Sequence, residues 1–354
     1  MTTQQVDAAP TPESAAVRQA LRAADVLALE RAAVRAVAWP LRARLVTVQR
    51  AAVRAWIAAF GSLEAPGDPM RAAAVTARII GDLAGIGASA TAPLDAYVQR
   101  AVALGVAQAA HATGAAMTAE GIGAVPDAAT ARTVAGLDQA IRSRIAAAEA
   151  AVTRASGSGF AELDTALGHA HKAVAAAARD TVTAVNGGAN AGQAAAADFL
   201  GADRLCFAEP DCCTTCAGLA GRVAAPGQPF DARFASTFTD KPHLWPPGPL
   251  EHPPWHPSCR CRAETYLGVE PAASGPSLPL ALQREARRAI LKGWSLPSES
   301  QPERIRAARK TLARNAAAPA SVKAYSRRAV AAGRFPTRDV PRYAPRPGAA
   351  KTKH

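Results

Sequence analysis

The chain has 354 residues and a net charge of +13, with 49% apolar residues but only 5% aromatic ones. Much of the apolar fraction is alanine, which favours helix and buries little area, so slender packed helices are expected rather than a thick globular core. The MTTQQVDAAPTPES start lacks the basic and apolar regions of a secretory signal, and Arg, Asp and His interrupt the alanine runs. Both features argue against export and against a membrane span, so the protein is expected to be made and used in the cytosol or in something assembled there.

Residues 1–12 read as a disordered N-terminus, and 13–199 as a helical body. Thr11 followed by Pro12 suits an N-cap with proline at the first helical position. The helical pattern runs to Trp39, where Pro40 is expected to break or kink it. Leu41, Leu45, Val48, Ala52, Trp56 and Phe60 then recur at helical spacing, with Gly61 as a C-cap, and SLEAPGDP is a loop.

Met70, Val75, Ile79, Leu83 and Ile86 mark a further helix, ended by the glycines around Gly87. Thr91 caps another that carries Leu94, Val98, Val102 and Val106. After a turn near Gly121–Gly123, a long helix carries Val134, Leu137, Ile141, Ile145 and Val152, and SGSG ends it. One more alanine-rich helix covers roughly 160–186, after which NGGANAGQ is expected to break the pattern. No repeat of fixed period is visible.

From 200 to 270 proline, glycine, cysteine and aromatics replace alanine. The expected fold is therefore mainly α: an elongated helical N-terminal body, a small irregular α+β module rich in Cys and His, and a basic C-terminal tail. All six cysteines fall within 206–261. In a reducing compartment such crowding points to metal rather than disulfides, with free buried thiols as the alternative. Cys213-x-x-Cys216 puts two sulfurs on one tight turn, and Cys259-x-Cys261 offers a second pair. Together they make the four thiolates of a tetrahedral structural zinc site. C-x-C is the less usual spacing, so His256, ahead of that pair with Pro257 fixing the turn, is the alternative ligand. His243 and His252 lie nearby. The segment is short of apolar bulk, and a metal would supply folding energy that packing does not.

Residues 271–354 form a basic tail that is part helical, part disordered. It opens on the Pro/Ser-rich linker PAASGPSLP, continues as short helices over about 280–332, and ends rich in Pro, Arg and Lys. It carries 18 Lys and Arg against four acidic residues, while the other 270 residues are nearly balanced. Such a segment binds polyanions by displacing their counterions. Arg304, Arg306, Arg309, Lys310 and Arg314 fall on one or two helix faces and are the candidate nucleic-acid contacts. Tyr325 and Tyr343 read as packing or surface residues before base-stacking ones.

The block Cys213-Thr-Thr-Cys216, then Leu219 and Gly221, then Pro253-Pro254-Trp255-His256-Pro257-Ser258-Cys259-Arg260-Cys261 resembles the C-terminal signature of the Mu F-like minor head, or head morphogenesis, proteins of tailed bacteriophages. The match covers about 65 residues, and the tail after 275 is not part of it. The resemblance implies a minor capsid protein inside the phage head near the portal vertex, present in the host cytoplasm during assembly. Its implied partners are the portal, scaffold and major capsid proteins, and its implied work is procapsid assembly and DNA packaging or ejection. The basic tail would face the packaged phage DNA. No membrane partner and no small-molecule substrate are implied.

Enzymatic readings fare worse. Pro210-Asp-Cys-Cys-Thr-Thr-Cys216 imitates half of a zinc deaminase signature, but Gly168-His169-Ala-His171 lacks the glutamate that shuttles protons. A Cys259–His256 nucleophile pair is conceivable, yet a thiol two positions from another in a proline-rich loop more often binds metal. The expectation is therefore no enzyme. A zinc-knuckle nucleic-acid-binding protein of host or phage cytosol is the alternative. It shares the metal site and basic tail but leaves the long helical body without a purpose.

Overall fold

The computed structural model describes residues 12–64, 68–86, 91–157, 159–244, 249–257, 259–268, 277–294, 299–314 and 317–336, with side chains from 23 onward. Among them are ten α-helices and one three-stranded antiparallel sheet, so the fold is mainly α. All but the last residue of the 1–12 segment, together with Gly87, Ser158 and Tyr343, lies outside the described residues.

Two compact units emerge, and their limits do not follow the expected boundaries at 199 and 270. One comprises 29–98 and 128–185; the other takes the described residues up to Ala28, Gln99–Asp127 and those from Asn186 onward. Helices α1 (Pro12–Phe60), α3 (Thr91–Thr113) and α6 (His171–Leu200) contribute to both.

In the first unit the apolar periodicity becomes the core. Leu41, Leu45, Val48, Ala52 and Trp56 of α1 are buried, as are Val75, Ile79 and Leu83 of α2 (Pro69–Ala84). Val134, Leu137, Ile141, Ile145 and Val152 line α4 (Ala128–Arg154), and Leu163 and Leu167 line α5 (Phe160–Gly168). Helix α4 packs on both α2 and α5. Trp56 stacks near Phe60 and Phe160, with ring centroids 4.4 and 5.8 Å away. Asp68 caps α2 by accepting from Arg71 N at 3.0 Å.

Two expectations are corrected here. Pro40 does not end a helix, since α1 runs 49 residues through it. Proline removes one main-chain hydrogen bond, and continuous burial on both sides, from Ala33 and Val37 to Leu41 and Leu45, holds the helix together. The predicted helix over 160–186 is instead two. A tight turn at His169–Ala170 separates α5 from α6, and NGGANAGQ lies inside α6.

In the second unit, β1 (Asp203–Phe207) is the central strand, flanked by β2 (Val223–Ala224) and β3 (Arg262–Tyr266). Strand alternation sends Leu205 and Phe207 to one face, against Leu282 of α8 (Leu278–Lys292). It sends Cys206 to the other, into a core with Ala263, Phe230, Trp255 and the remaining cysteines. Helix α9 (Gln301–Ala313) and helix α10 (Ala320–Ala331) pack on α8 and on each other. Ala286, Ile290 and Ala307 belong to the cysteine-containing core. The short basic helices are thus built into the module rather than strung out behind it.

The second halves of α3 and α6 meet in this unit at glycines. A Cβ at Gly105 would overlap the carbonyl of Ala189, and one at Gly192 would overlap the carbonyl of Val102. The glycine that reads as a breaker therefore permits a backbone-to-backbone crossing.

Candidate metal centre

Cys213 sits at the N-cap of the short helix α7 (Thr214–Leu219), and its Sγ accepts from Cys216 N at 3.4 Å. The backbone thus turns both sulfurs of C-x-x-C to the same side. Glu299 steadies this turn from outside: it accepts from Thr214 N at 2.7 Å and from Thr214 Oγ1 at 3.0 Å. From 43 residues along the chain, His256 Nε2 comes within 3.1 Å of Cys213 Sγ and 3.2 Å of Cys216 Sγ. Cys259 Sγ lies 3.7 Å from Cys216 Sγ. Two donor triads result, Cys213–Cys216–His256 and Cys216–Cys259–Cys261, joined at Cys216, with donor atoms within 4.8 Å of one another in each.

All four thiols are buried. The Cys216–Cys259 separation matches the edge of about 3.8 Å that follows from Zn–S bonds of about 2.3 Å in a tetrahedron. The cluster can hold a metal ion. The four cysteines share one buried core with Ala208, Ala217, Leu250 and Trp255, while His256 is half-buried.

The charge pattern suits a divalent cation. Hydrogen bonding from Cys216 holds the Cys213 thiol well below its ordinary range, against the effect of burial. Burial raises Cys259, yet hydrogen bonds from Cys216 and Cys261 with the nearby His256 leave it lowered. Cys216 is pushed up, first by burial and then as the donor to its neighbours. Burial opposes charge on His256 too, but Cys213 and Cys259 overcome it and carry the imidazole to about 10. The shifts on Cys213, Cys259 and His256 support one another, and a metal bound there would take the place of the protons on its ligands.

Cys206 and Cys212 are buried beside this cluster but belong to neither triad, and burial pushes both thiols up. His252 turns instead to Pro253 O at 2.7 Å and lies 3.9 Å from Asp127. His243 is held by its backbone N–H, which donates to Thr215 Oγ1 at 2.9 Å. In the first unit His171 Nε2 pairs with Gln49 Oε1 at 3.1 Å, and His169 Nδ1 lies 3.3 Å from Lys172 Nζ, so the two do not act as a ligand pair.

Charged neighbours support the second cysteine pair. Arg260, between the two thiols, pairs with the buried carboxylate of Asp211. Arg262 lies 3.8 Å from Glu209 and 3.7 Å from Glu264. Buried Arg204 donates to the carbonyls of Glu251 and Gln228, tying down both ends of the loop between them.

Of three residues without a mark in the motif pattern, two touch the site directly and the third holds the strand beyond it. Asn186 Nδ2 donates to Cys259 O at 2.7 Å and to Cys261 O at 3.3 Å. Asn190 Nδ2 donates to Cys261 O at 3.3 Å, while its Oδ1 accepts from Ala263 N at 2.8 Å. Gln193 Oε1 accepts from Thr265 N at 3.3 Å. The sequence does carry a signal for them: polar amides at i, i+4 and i+7 in an Ala/Gly stretch share one helix face.

The candidate nucleic-acid contacts lie on α9 and just beyond it, and they divide. Arg304 donates to Gly293 O at 3.3 Å, and Arg314 to Thr237 O at 2.8 Å. Lys310 donates to Ser236 O at 3.2 Å and pairs with Asp240. Arg306 and Arg309 are exposed, with Arg306 3.8 Å from Glu303. Tyr325 packs near Phe335 under Lys292. No helix among the described residues is long and apolar enough to cross a membrane.

No family model, no curated protein and no solved structure matches this chain.

Proposed function

We propose that the chain is a structural, non-catalytic protein of a tailed-phage head, similar to the Mu F-like minor head proteins, whose Cys/His module is clamped by one zinc ion. One observation carries this reading. The cysteines and the histidine of the motifs that make the resemblance, Cys213, Cys216, His256, Cys259 and Cys261, are those whose side chains converge in one cluster. A zinc ion there is held by Cys213, Cys216, Cys259 and Cys261, with His256 as the fifth donor able to replace one thiolate. Enclosed thiolates favour a staple over chemistry, because structural zinc sites are closed and catalytic ones keep a position open.

The partners on this reading are the portal, scaffold and major capsid proteins, and packaged DNA meets the basic helices. The protein works inside the head after assembly in the host cytoplasm.

Two measurements test the proposal. Metal analysis of the purified chain is expected to find one zinc per molecule. Single Cys→Ser changes at the four positions are expected to reduce both zinc content and melting temperature; zinc-free protein of unchanged stability would remove the staple. For the biological role, particles from a producing strain are expected to contain the chain, and its gene to lie downstream of a portal gene. Neighbouring genes of host metabolism and particles lacking the chain would overturn it.

A further inference from the structure

We propose that Asn186 and Asn190 are positioning residues for the metal centre: their side-chain amides preset the Cys259–Cys261 chelate, so α6 is the template on which the site is assembled. This rests on reading the five-donor cluster as a metal centre.

A C-x-C pair has few constraints of its own. The directions of its two sulfurs depend on the peptide planes around residues 259 to 263. Peptide units are planar, so fixing a carbonyl or an N–H fixes the whole plane. Asn186 holds the carbonyls of both cysteines with one amide group. Asn190 holds the Cys261 carbonyl and the Ala263 N–H from its two ends. The orientation of Asn190 is forced, since only its oxygen can accept from Ala263 N and only its NH2 can donate to a carbonyl.

The amides run along the outer edge of β3, on the side away from β1, as a neighbouring strand would. Helical steps of four and three residues advance about 6.0 and 4.5 Å. Two residues of strand advance about 6.7 Å. The first step nearly keeps pace, while the second falls about 2 Å short. That is where the longer Gln193 stands, and its bond is stretched to 3.3 Å. The shortest bonds, 2.7 Å to Cys259 O and 2.8 Å from Ala263 N, thus stand on either side of Cys261, and Gln193 bonds only beyond the chelate.

Asn186 and Asn190 are only 2% and 1% exposed. In a helix of alanine and glycine, buried amides are costly unless hydrogen-bonded, and the carbonyls of the chelate are the bonds they make outside their own helix. Groups that orient metal ligands from behind typically change metal affinity by about 10–100-fold when removed.

The test uses the full chain with Zn2+ in competition with a chelator, and Co2+ as a spectroscopic stand-in. Asn186→Leu and Asn190→Leu are expected to lower Zn2+ affinity by about 10–100-fold and to alter the Co2+ ligand-field bands. Gln193→Leu is expected to lower the melting temperature while sparing both readouts. If Asn190→Leu does not fold, Asn190→Asp keeps the size and the acceptor for Ala263 but loses the donor to Cys261. It is expected to show the same loss of affinity. Wild-type affinity and spectrum in the folded Asn variants, with stability alone reduced, would overturn the inference, as would a Gln193→Leu defect equal to theirs. A wild-type chain that takes up neither metal would instead sink the metal reading.

Discussion

At the scale of single residues, the charge beside the centre is as closely matched as the sulfurs. Asp211 has a side chain only 2% exposed and pairs with Arg260. Removing the arginine takes away part of what compensates a buried carboxylate. Arg260→Gln is expected to destabilise the metal-loaded protein by about 2 kcal/mol. That is less than for a wholly buried pair, because Arg260 keeps part of its surface in solvent. Urea denaturation checks this, and an unchanged midpoint would show that Asp211 finds compensation elsewhere. Cys213 illustrates a second economy, since one residue caps α7 with the same sulfur that enters the donor set.

At the scale of elements, two features that read as interruptions are parts of continuous helices. Gly192 lies within α6, where its missing side chain lets α3 approach. Gly192→Ala is expected to cost about 1–3 kcal/mol through overpacking, although alanine is the better helix former. Thermal unfolding with a stability gain would show that the crossing tolerates a methyl group. Pro40 lies within α1 at an exposed position. Pro40→Ala restores one main-chain hydrogen bond and is expected to raise stability by about 1 kcal/mol or more. The same measurement shows whether the ring serves a purpose beyond its cost to the helix.

At the scale of the whole molecule, much of the excess positive charge lies on three helices, α8, α9 and α10. These helices carry 11 basic residues and two acidic ones. The charges are not equivalent. Lys310 and Arg314 are committed to the 236–240 segment. Arg284, Arg327 and Arg328 are exposed and make no ion pair among the described residues. Arg288 is exposed too and reaches over Trp294. With Arg284 it lines a cleft of about 550 Å³ beside Ala317–Pro319. On duplex DNA, changing Arg284, Arg288, Arg327 and Arg328 to Gln is expected to reduce the salt slope by about 3–4, near 0.9 for each phosphate no longer neutralised. Changing Lys310 and Arg314 to Ala is expected mainly to lower the melting temperature. The reverse ranking would return the nucleic-acid contact to α9.

The mainly helical class and most of the core positions were legible in the sequence, which also put forward the four cysteines that the fold gathers together. Periodic burial and the chemistry of Cys and His are local properties, readable wherever the letters stand. Val134, Leu137, Ile141 and Ile145 need only their own spacing to mark a buried face. Everything set by approach from elsewhere in the chain was not legible in the sequence. Gly192 is a breaker or a crossing point depending on whether α3 lies against it. Asn186 and Asn190 are polar interruptions until the carbonyls of Cys259 and Cys261 arrive. Lys310 is a free charge until Asp240 folds beside it. Local pattern encodes which face a residue turns to, but the partner on that face comes from long-range packing, which no window of sequence contains.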